Sequence, residues 1–362
     1  MTDAQPESLH CACRPGDESL LLGELGRVYP HSVHKTIWSG WTESRLEPDD
    51  REGGRCLALA QQALPDAAVI RAPSIARLAL AAAPRIVAAL EDHDGPWRLH
   101  AFCVDQPGAD ARQVRCDRIA AQVLDFLGKK QRRLLRTRID DPAALWSPEE
   151  ALVQIALIEP DRLLLCVVPA VAAHPLRRSL SRWPGGQAPI DEDKTPPSRA
   201  YRKLLEAELH LGLAIGRGDR VVDLGAAPGG WSYVALERGA VVTAVDRSPL
   251  RDDLMRHPSL DFRKGDGFKY EPEYPPVDWL LCDVIAYPVR TVELVSRWIG
   301  RGLCRSFVVS VKFQGEDEYP RLEELKQILA DANLEFQIRR LRHNRNEVTA
   351  LGAPAGRPTG AT

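Results

Sequence analysis

The chain has 362 residues, of which 44% are hydrophobic, 27% charged and 6% aromatic. This is a globular composition, long enough for two domains with cores of their own, and it excludes wholesale disorder. Forty-eight basic against 50 acidic residues leave a net charge of -2, so a nucleic-acid partner would have to be met by a local cationic patch.

Asp3 and Glu7 stand where a signal peptide needs positive charge, and no stretch reaches about 18 uninterrupted apolar residues. A soluble, cytoplasmic chain with no membrane partner is expected. Leu9 to Cys13 read as a strand, followed after Pro15-Gly16 by a helix with Leu21, Leu25 and Val28 on one stripe. A connection near Glu47 to Gly54 leads to an Ala-rich helix over Ile75 to Leu90. Trp97, Leu99, Ala101 and Cys103 alternate as a strand with one buried face, and Cys116, Ile119, Val123 and Phe126 follow at helical spacing. Glu159-Pro160-Asp161-Arg162 separates two apolar runs, Ala151 to Ile158 and Leu163 to Val168, and predicts a hairpin. The eight cysteines form no C-x-x-C and sit mostly in apolar runs, so buried thiols are expected and no metal is assigned.

Residues 1–172 thus read as an α+β region, and 173–197, with prolines and the Gly185-Gly186 pair, as a surface linker. From Ser198 the rhythm changes. A helix at Arg199 to Leu213 precedes strands at Arg220 to Leu224, Val241 to Val245, Leu260 to Phe262, Trp279 to Cys282 and Phe307 to Val311, with helices between them. Such alternation predicts a parallel, doubly wound α/β sheet. A helix over Tyr319 to Ala330 and strands at Leu334 to Leu341 and Glu347 to Leu351 add an antiparallel hairpin, and 352–362 read as a disordered tail.

Asp223-Leu224-Gly225-Ala226-Ala227-Pro228-Gly229-Gly230-Trp231 runs from a strand through a Gly-rich turn into a helix, where backbone amides face a ligand. The dinucleotide fingerprint is absent because Ala227 takes the place of the middle glycine, which weakens a dehydrogenase reading. A turn on S-adenosylmethionine (SAM) meets an amino acid instead of a pyrophosphate and needs fewer glycines. Asp246, ending the next strand, suits both ribose hydroxyls of an adenosine, and Asp266, after the third, its adenine amino group. Lys129, Lys130, Arg132, Arg133, Arg136 and Arg138 place six cations in ten residues, enough to neutralise RNA phosphates or simply to form a solvated helix face.

The run from Asp223 to Trp231 resembles that of the FtsJ-like ribose 2'-O-methyltransferases, and the match extends to their Lys-Asp-Lys-Glu tetrad at Lys203, Asp283, Lys312 and Glu347. Within the family the likeness leans toward enzymes of large-subunit ribosomal RNA: Cys13-Arg14-Pro15-Gly16, Asp266-Gly267-Phe268-Lys269 and Glu347-Val348-Thr349 are similar. The resemblance is specific from Ser198 to about Leu351. It implies a Rossmann-like, seven-stranded SAM-dependent methyltransferase domain over 198–351, preceded by a THUMP-type RNA-binding region. The implied SAM contacts are Asp223, Gly225, Ala227, Pro228, Gly229, Gly230, Trp231, Asp246, Asp266 and Asp283, and the implied substrate is one ribose of 23S rRNA. Two departures stand out: the family's SAM-contacting serine falls on Ala200, so Ser198 or backbone must replace it or the contact is lost, and Glu316-Asp317-Glu318 follow Lys312 where the resembling enzymes are more basic.

Chemistry agrees with the tetrad. A ribose 2'-hydroxyl attacks a sulfonium methyl best when a base removes its proton as the bond forms. Lys312 is the candidate base; Lys203, a neighbouring cation, favours its neutral form, while Asp283 and Glu347 position the amines, offset their charge and act in the opposite direction. Two competitors are a SAM enzyme acting on a small molecule or protein and a non-catalytic RNA-binding assembly factor. DNA is not an expected partner, and base methylation is disfavoured because no Asn/Asp-Pro-Pro-Tyr motif or Pro-Cys nucleophile is present.

Overall fold

The computed structural model describes residues 6–50, 56–104, 109–315, 319–332 and 334–354. It divides into two compact units, 1–187 and 188–362.

The first unit carries two sheets. In one, β1 (Ser8–Ala12) lies between β3 (Trp41–Arg45) and β4 (Gln62–Pro65), with β2 (Val33–Trp38) outside β3, and every pairing is antiparallel. Helix α1 (Glu18–Val28) follows β1 and buries Leu21, Leu25 and Val28, as its stripe predicts. The other sheet has the order β5 (Ala68–Arg71), β8 (Arg162–Val168), β7 (Ala151–Glu159), β6 (Trp97–Phe102). β7 and β8 are the expected hairpin, paired from Leu152 with Val168 down to Glu159 with Arg162, while β6 joins β7 in parallel. Helices α2 (Ile75–Ala89) and α3 (Ala109–Lys130) cover this sheet, with Leu78, Ile86, Ile119 and Val123 packed on Ile155 and Leu157. A short helix, α4 (Arg132–Arg136), ends the stretch.

Two expectations for this unit change. β6 buries both faces: Leu99 and Ala101 lean on the helices, yet Arg98, His100 and Phe102 are the more buried residues. The reason is a second cover, in which Trp41 stacks on Phe102 and Trp146 lies over the Arg98 guanidinium. Residues 173–187, expected as linker, pack with this unit through buried Leu176, Leu180 and Trp183. Gly185 and Gly186 both have positive φ, and a Cβ on Gly186 would lie 2.2 Å from the Gln61 carbonyl oxygen. Gly186 is a glycine because two backbones meet there, and a Cβ on Gly185 would lie 2.8 Å from the Phe102 ring, so neither supplies slack.

The second unit is built on a seven-stranded sheet with the order β11 (Leu260–Lys264), β10 (Val241–Asp246), β9 (Arg220–Leu224), β12 (Val277–Cys282), β13 (Cys304–Lys312), β15 (Glu347–Pro354), β14 (Leu334–Arg339). The first five are parallel, and β15 and β14 form the antiparallel addition. Central strands buried on both faces read as continuous apolar runs, as in Leu280, Leu281, Phe307, Val308 and Val309. Helices α5 (Tyr201–Leu211), α6 (Gly230–Glu237), α7 (Asp252–Met255), α8 (Pro288–Gly300) and α9 (Arg321–Asp331) complete it. β15 runs on through Gly352 to Pro354, paired with β13 and β14, so the expected tail does not begin at 352. Residues 355–362 and Glu316-Asp317-Glu318 lie outside the described residues. No helix among the described residues is long and apolar enough to cross a membrane.

Candidate active site

Strand order reverses at β9. β10 and β11 lie to one side of it, β12 and β13 to the other, and in such sheets the crevice outside the carboxyl ends at this point takes ligands. The turn after β9 opens it. Gly225 has φ +73°, and a Cβ there would lie 2.3 Å from Val284 Cγ2. Only a residue without a side chain lets the two loops approach so closely. The result is a cavity of about 450 Å³ whose lining includes Ser198, Ala227, Pro228, Trp231, Asp246 and Lys312.

Asp246 lines the cavity and accepts the Ala227 amide on Oδ2 at 3.0 Å and the Ser248 amide on Oδ1 at 2.8 Å, which fix its carboxylate. Asp223 also lines it, almost wholly buried, and accepts the Ser232 hydroxyl at 2.7 Å. Burial pushes its carboxyl up to about 7, opposed by the Ser232 hydrogen bond and reinforced by the Asp283 charge. Gly225, Gly230 and Asp283 line the cavity as well. Gly229 and Asp266 do not. A Cβ on Gly229 would meet Leu254 at 2.4 Å, so its role is the fit of turn against α7. Asp266 accepts the Phe268 amide at 3.0 Å, which holds its carboxyl below the usual range, and faces Arg247 at 3.4 Å and Arg290 at 3.7 Å.

The tetrad residues converge. Lys312, the last residue of β13, stands directly opposite Glu347, the first of β15, in the antiparallel register. Asp283 follows β12, and Lys203 comes from the first turn of α5. The Lys203 ammonium lies 2.6 Å from each Asp283 carboxylate oxygen and 3.2 Å from Glu347 Oε1. Lys312 Nζ lies 3.1 Å from Asp283 Oδ1, 3.7 Å from Glu347 Oε2, and donates to the Asp283 carbonyl at 2.9 Å. Two cations and two anions thus share one compact cluster. The two lysines are not equivalent: the Lys312 side chain is 20% exposed and lines the cavity, whereas Lys203 is 8% exposed and does not.

Ser198, one of the expected replacements for the family serine, lines the cavity, and so does Ala200, whose carbonyl is taken by the Trp231 indole at 2.7 Å. Other supports escaped sequence reading. Buried Glu206, one turn after Lys203 on α5, accepts the Arg342 and His343 amides and so fixes the turn that leads to Glu347. Burial pushes its carboxyl up to about 7. Asn346 is a clasp: its amide donates to the Phe313 carbonyl at 2.8 Å and its oxygen accepts the Tyr319 hydroxyl at 2.9 Å, with Tyr319 stacked on Phe313. A Glu at an apolar helix face was the one readable signal among these.

The six cations expected to meet RNA lie on α3, α4 and just beyond, and all but partly buried Arg138 are exposed. Lys129 pairs with Asp125 at 2.7 Å, Arg133 with Asp94, and Arg138 with Asp140, while Arg132 donates to the Gly128 carbonyl. Among the described residues Lys130 and Arg136 have no ion pair. All eight cysteines are buried and unbridged, with Cys282 and Cys304 pushed up to about 12 by burial. Among the described residues no His/Cys/Asp/Glu cluster could hold a metal.

The ribosomal RNA large subunit methyltransferase M of Thauera aminoaromatica is 35% identical over 182 residues, 47% of this chain and 50% of that one. The protein of the same name from Pseudomonas syringae pv. tomato is 38% identical over 185 residues, 46% of this chain and 50% of that one. The chain spans about half the length of the curated relatives it matches. Among solved structures, the fibrillarin pre-rRNA processing protein of Methanococcus jannaschii aligns with a TM-score of 0.34 at 18% identity, over 44% of this chain and 77% of that one. Residues 196–351 match the FtsJ-like methyltransferase family.

Proposed function

We propose that the chain is a SAM-dependent ribose 2'-O-methyltransferase of large-subunit ribosomal RNA, 23S rRNA in particular, in which the 1–187 unit is a THUMP-type RNA-binding region. The observation that carries the reading is the Lys312 amine, held at the cavity wall by Asp283 and Glu347. The fit to SAM rests on the cavity that the turn from Gly225 to Trp231 borders and on the Asp246 carboxylate at its wall, fixed by the Ala227 amide. Asp246 would accept the ribose hydroxyls, and the turn from Gly225 to Trp231 would border the amino-acid end. When bound, SAM supplies an electrophilic sulfonium methyl.

The chain's own residues do the rest. Lys312 Nζ takes the 2'-hydroxyl proton as the oxygen–carbon bond forms, the role open to the one tetrad amine that borders the cavity. Lys203 balances Asp283 and Glu347 from the buried side, so their carboxylates stay available to orient the Lys312 amine. In the first unit, Lys129, Lys130, Arg132, Arg133, Arg136 and Arg138 supply phosphate contacts, with Lys130 and Arg136 the least engaged elsewhere. An rRNA substrate implies action in the cytoplasm. The test is a map of ribose methylation, by resistance of the 3'-linkage to alkali, in large-subunit rRNA from cells with and without the protein. One 2'-O-methyl group should vanish in the deletion and return with the wild-type gene. An unchanged ribose map, or loss of a base methyl instead, would remove the assignment.

A further inference from the structure

The segment after Asp283 carries an unusual surface. Ile285 is 81% exposed, Tyr287 54% and Val289 39%, so three of the eleven large hydrophobic side chains exposed among the described residues fall within five positions. Scattered apolar side chains need no explanation, but a cluster beside a functional cavity does. The placement is specific. Val284 packs against Gly225, Ile285 itself lines the cavity, and the Asp283 carbonyl that opens the loop is bonded to Lys312. A chain extends at most about 3.5 Å per residue, which keeps Ile285 within about 7 Å and Tyr287 within about 14 Å of Asp283 along the backbone. Pro288 then starts α8 and limits how the loop can swing, with Tyr287 at the helix cap.

We propose that Ile285 and Tyr287 form the platform on which the base of the target nucleotide rests while its ribose lies at Lys312. This rests on the ribose-methylation reading above. A 2'-hydroxyl presented to Lys312 carries its base one glycosidic bond away, and a nucleobase is flat, apolar on its faces and bound by stacking on aromatic and aliphatic side chains. The exposed pair is the apolar surface next to the site at that remove. Stacking is sequence-tolerant, so the platform holds the nucleotide and sets the angle of attack without choosing the base.

The test uses the full chain, an unmodified transcript of large-subunit rRNA and methyl-labelled SAM. Tyr287→Ala should raise KM for the transcript about tenfold or lower kcat to the same extent, with SAM affinity within twofold of wild type. Tyr287→Phe should restore turnover, because the ring and not the hydroxyl carries the contact, and Ile285→Ser should share the RNA defect. Both sites are exposed, and thermal melts of each variant check the fold. Unchanged kinetics in Tyr287→Ala would overturn the platform, and so would a loss of SAM affinity equal to the loss of turnover, which would give the ring to the cofactor. Failure of the underlying reading looks different: wild type would bind SAM and leave the transcript unlabelled, and the platform would fall with it.

Discussion

In the first unit the Arg98 guanidinium pairs with buried Glu150, donates to the Ala144 carbonyl at 3.0 Å and the Pro142 carbonyl at 3.4 Å, and is covered by Trp146. Glu24 in the same unit turns its two oxygens to the Ala58 and Leu59 amides. In the second unit Lys203, Asp283, Lys312 and Glu347 are also drawn out of water, but their cluster opens on a cavity at the carboxyl edge of a parallel sheet. Buried charge therefore does not mark a functional site by itself. A charge whose partners are all backbone or counter-ion holds loops together, and one that keeps a face toward a cavity is available for chemistry.

Substitution should separate the two kinds most strongly at Lys312 and Arg98. Lys312→Ala is expected to lower methyl transfer about 10²- to 10⁴-fold with SAM affinity nearly unchanged, since the base acts on the nucleophile. Arg98→Ala leaves Glu150 buried without its cation and should cost about 3–5 kcal/mol of stability, seen in denaturant melts. A Lys312→Ala protein with wild-type turnover would take the base role from it, and an Arg98→Ala protein of wild-type stability would erase the contrast.

Asp246→Ala comes next in size. With the role proposed for Asp246, acceptor of the two ribose hydroxyls, its removal should weaken SAM about 10- to 100-fold in calorimetry. Turnover at saturating SAM should recover in large part, which distinguishes holding the cofactor from moving the proton.

Acidity offers a subtler division. Glu206 has a folded pKa near 7, above its ordinary 4.5, so its contribution to stability is full below about 4.5 and is lost as pH rises through about 7. His100, in the first unit, is held down to about 3 by burial and the neighbouring Arg98. Its contribution is full above about 6.5 and is lost as pH falls toward 3. Glu206→Gln should therefore gain on wild type between pH 5 and 8, by on the order of 2 kcal/mol, whereas His100→Asn should gain on wild type between pH 7 and 4. Parallel melting curves for either variant across its window would show that the group does not titrate as its burial implies.

What the sequence disclosed follows the same division. Asp223, Asp246 and Lys312 were readable because each stands at or next to the end of an apolar strand, the edge where parallel sheets bind ligands. The same logic put Asp266 at the ligand, yet it does not line the cavity, and Asp283 was read through the family resemblance alone. β2 was missed because its residues are exposed or half-buried along its whole length, with no alternation to read. The 173–187 stretch looked like linker because proline and glycine serve both slack and tight packing, and only the approach to Gln61 tells which. Glu206 and Asn346 act by capping backbone groups far away in sequence, and single-sequence periodicity carries no trace of such partners.

The smallest effects belong to the cations of the first unit. Each phosphate neutralised adds about 0.7–0.9 to the slope of log K against log salt, so Lys130→Ser with Arg136→Ser should flatten the slope for rRNA binding by about 1.5 and leave SAM affinity intact. Lys129 and Arg133 already face Asp125 and Asp94, and an RNA phosphate would have to displace those carboxylates. Lys129→Ser with Arg133→Ser should accordingly flatten the slope by less. Filter binding between about 50 and 200 mM salt makes the comparison. Equal slopes for the two double variants would mean that the ion pairs open on contact with RNA. No change in either would make α3 and α4 a solvated face and move the phosphate contacts to exposed Arg342 and Arg345 of the second unit. Arg339 and Arg340 are buried there and cannot take that part.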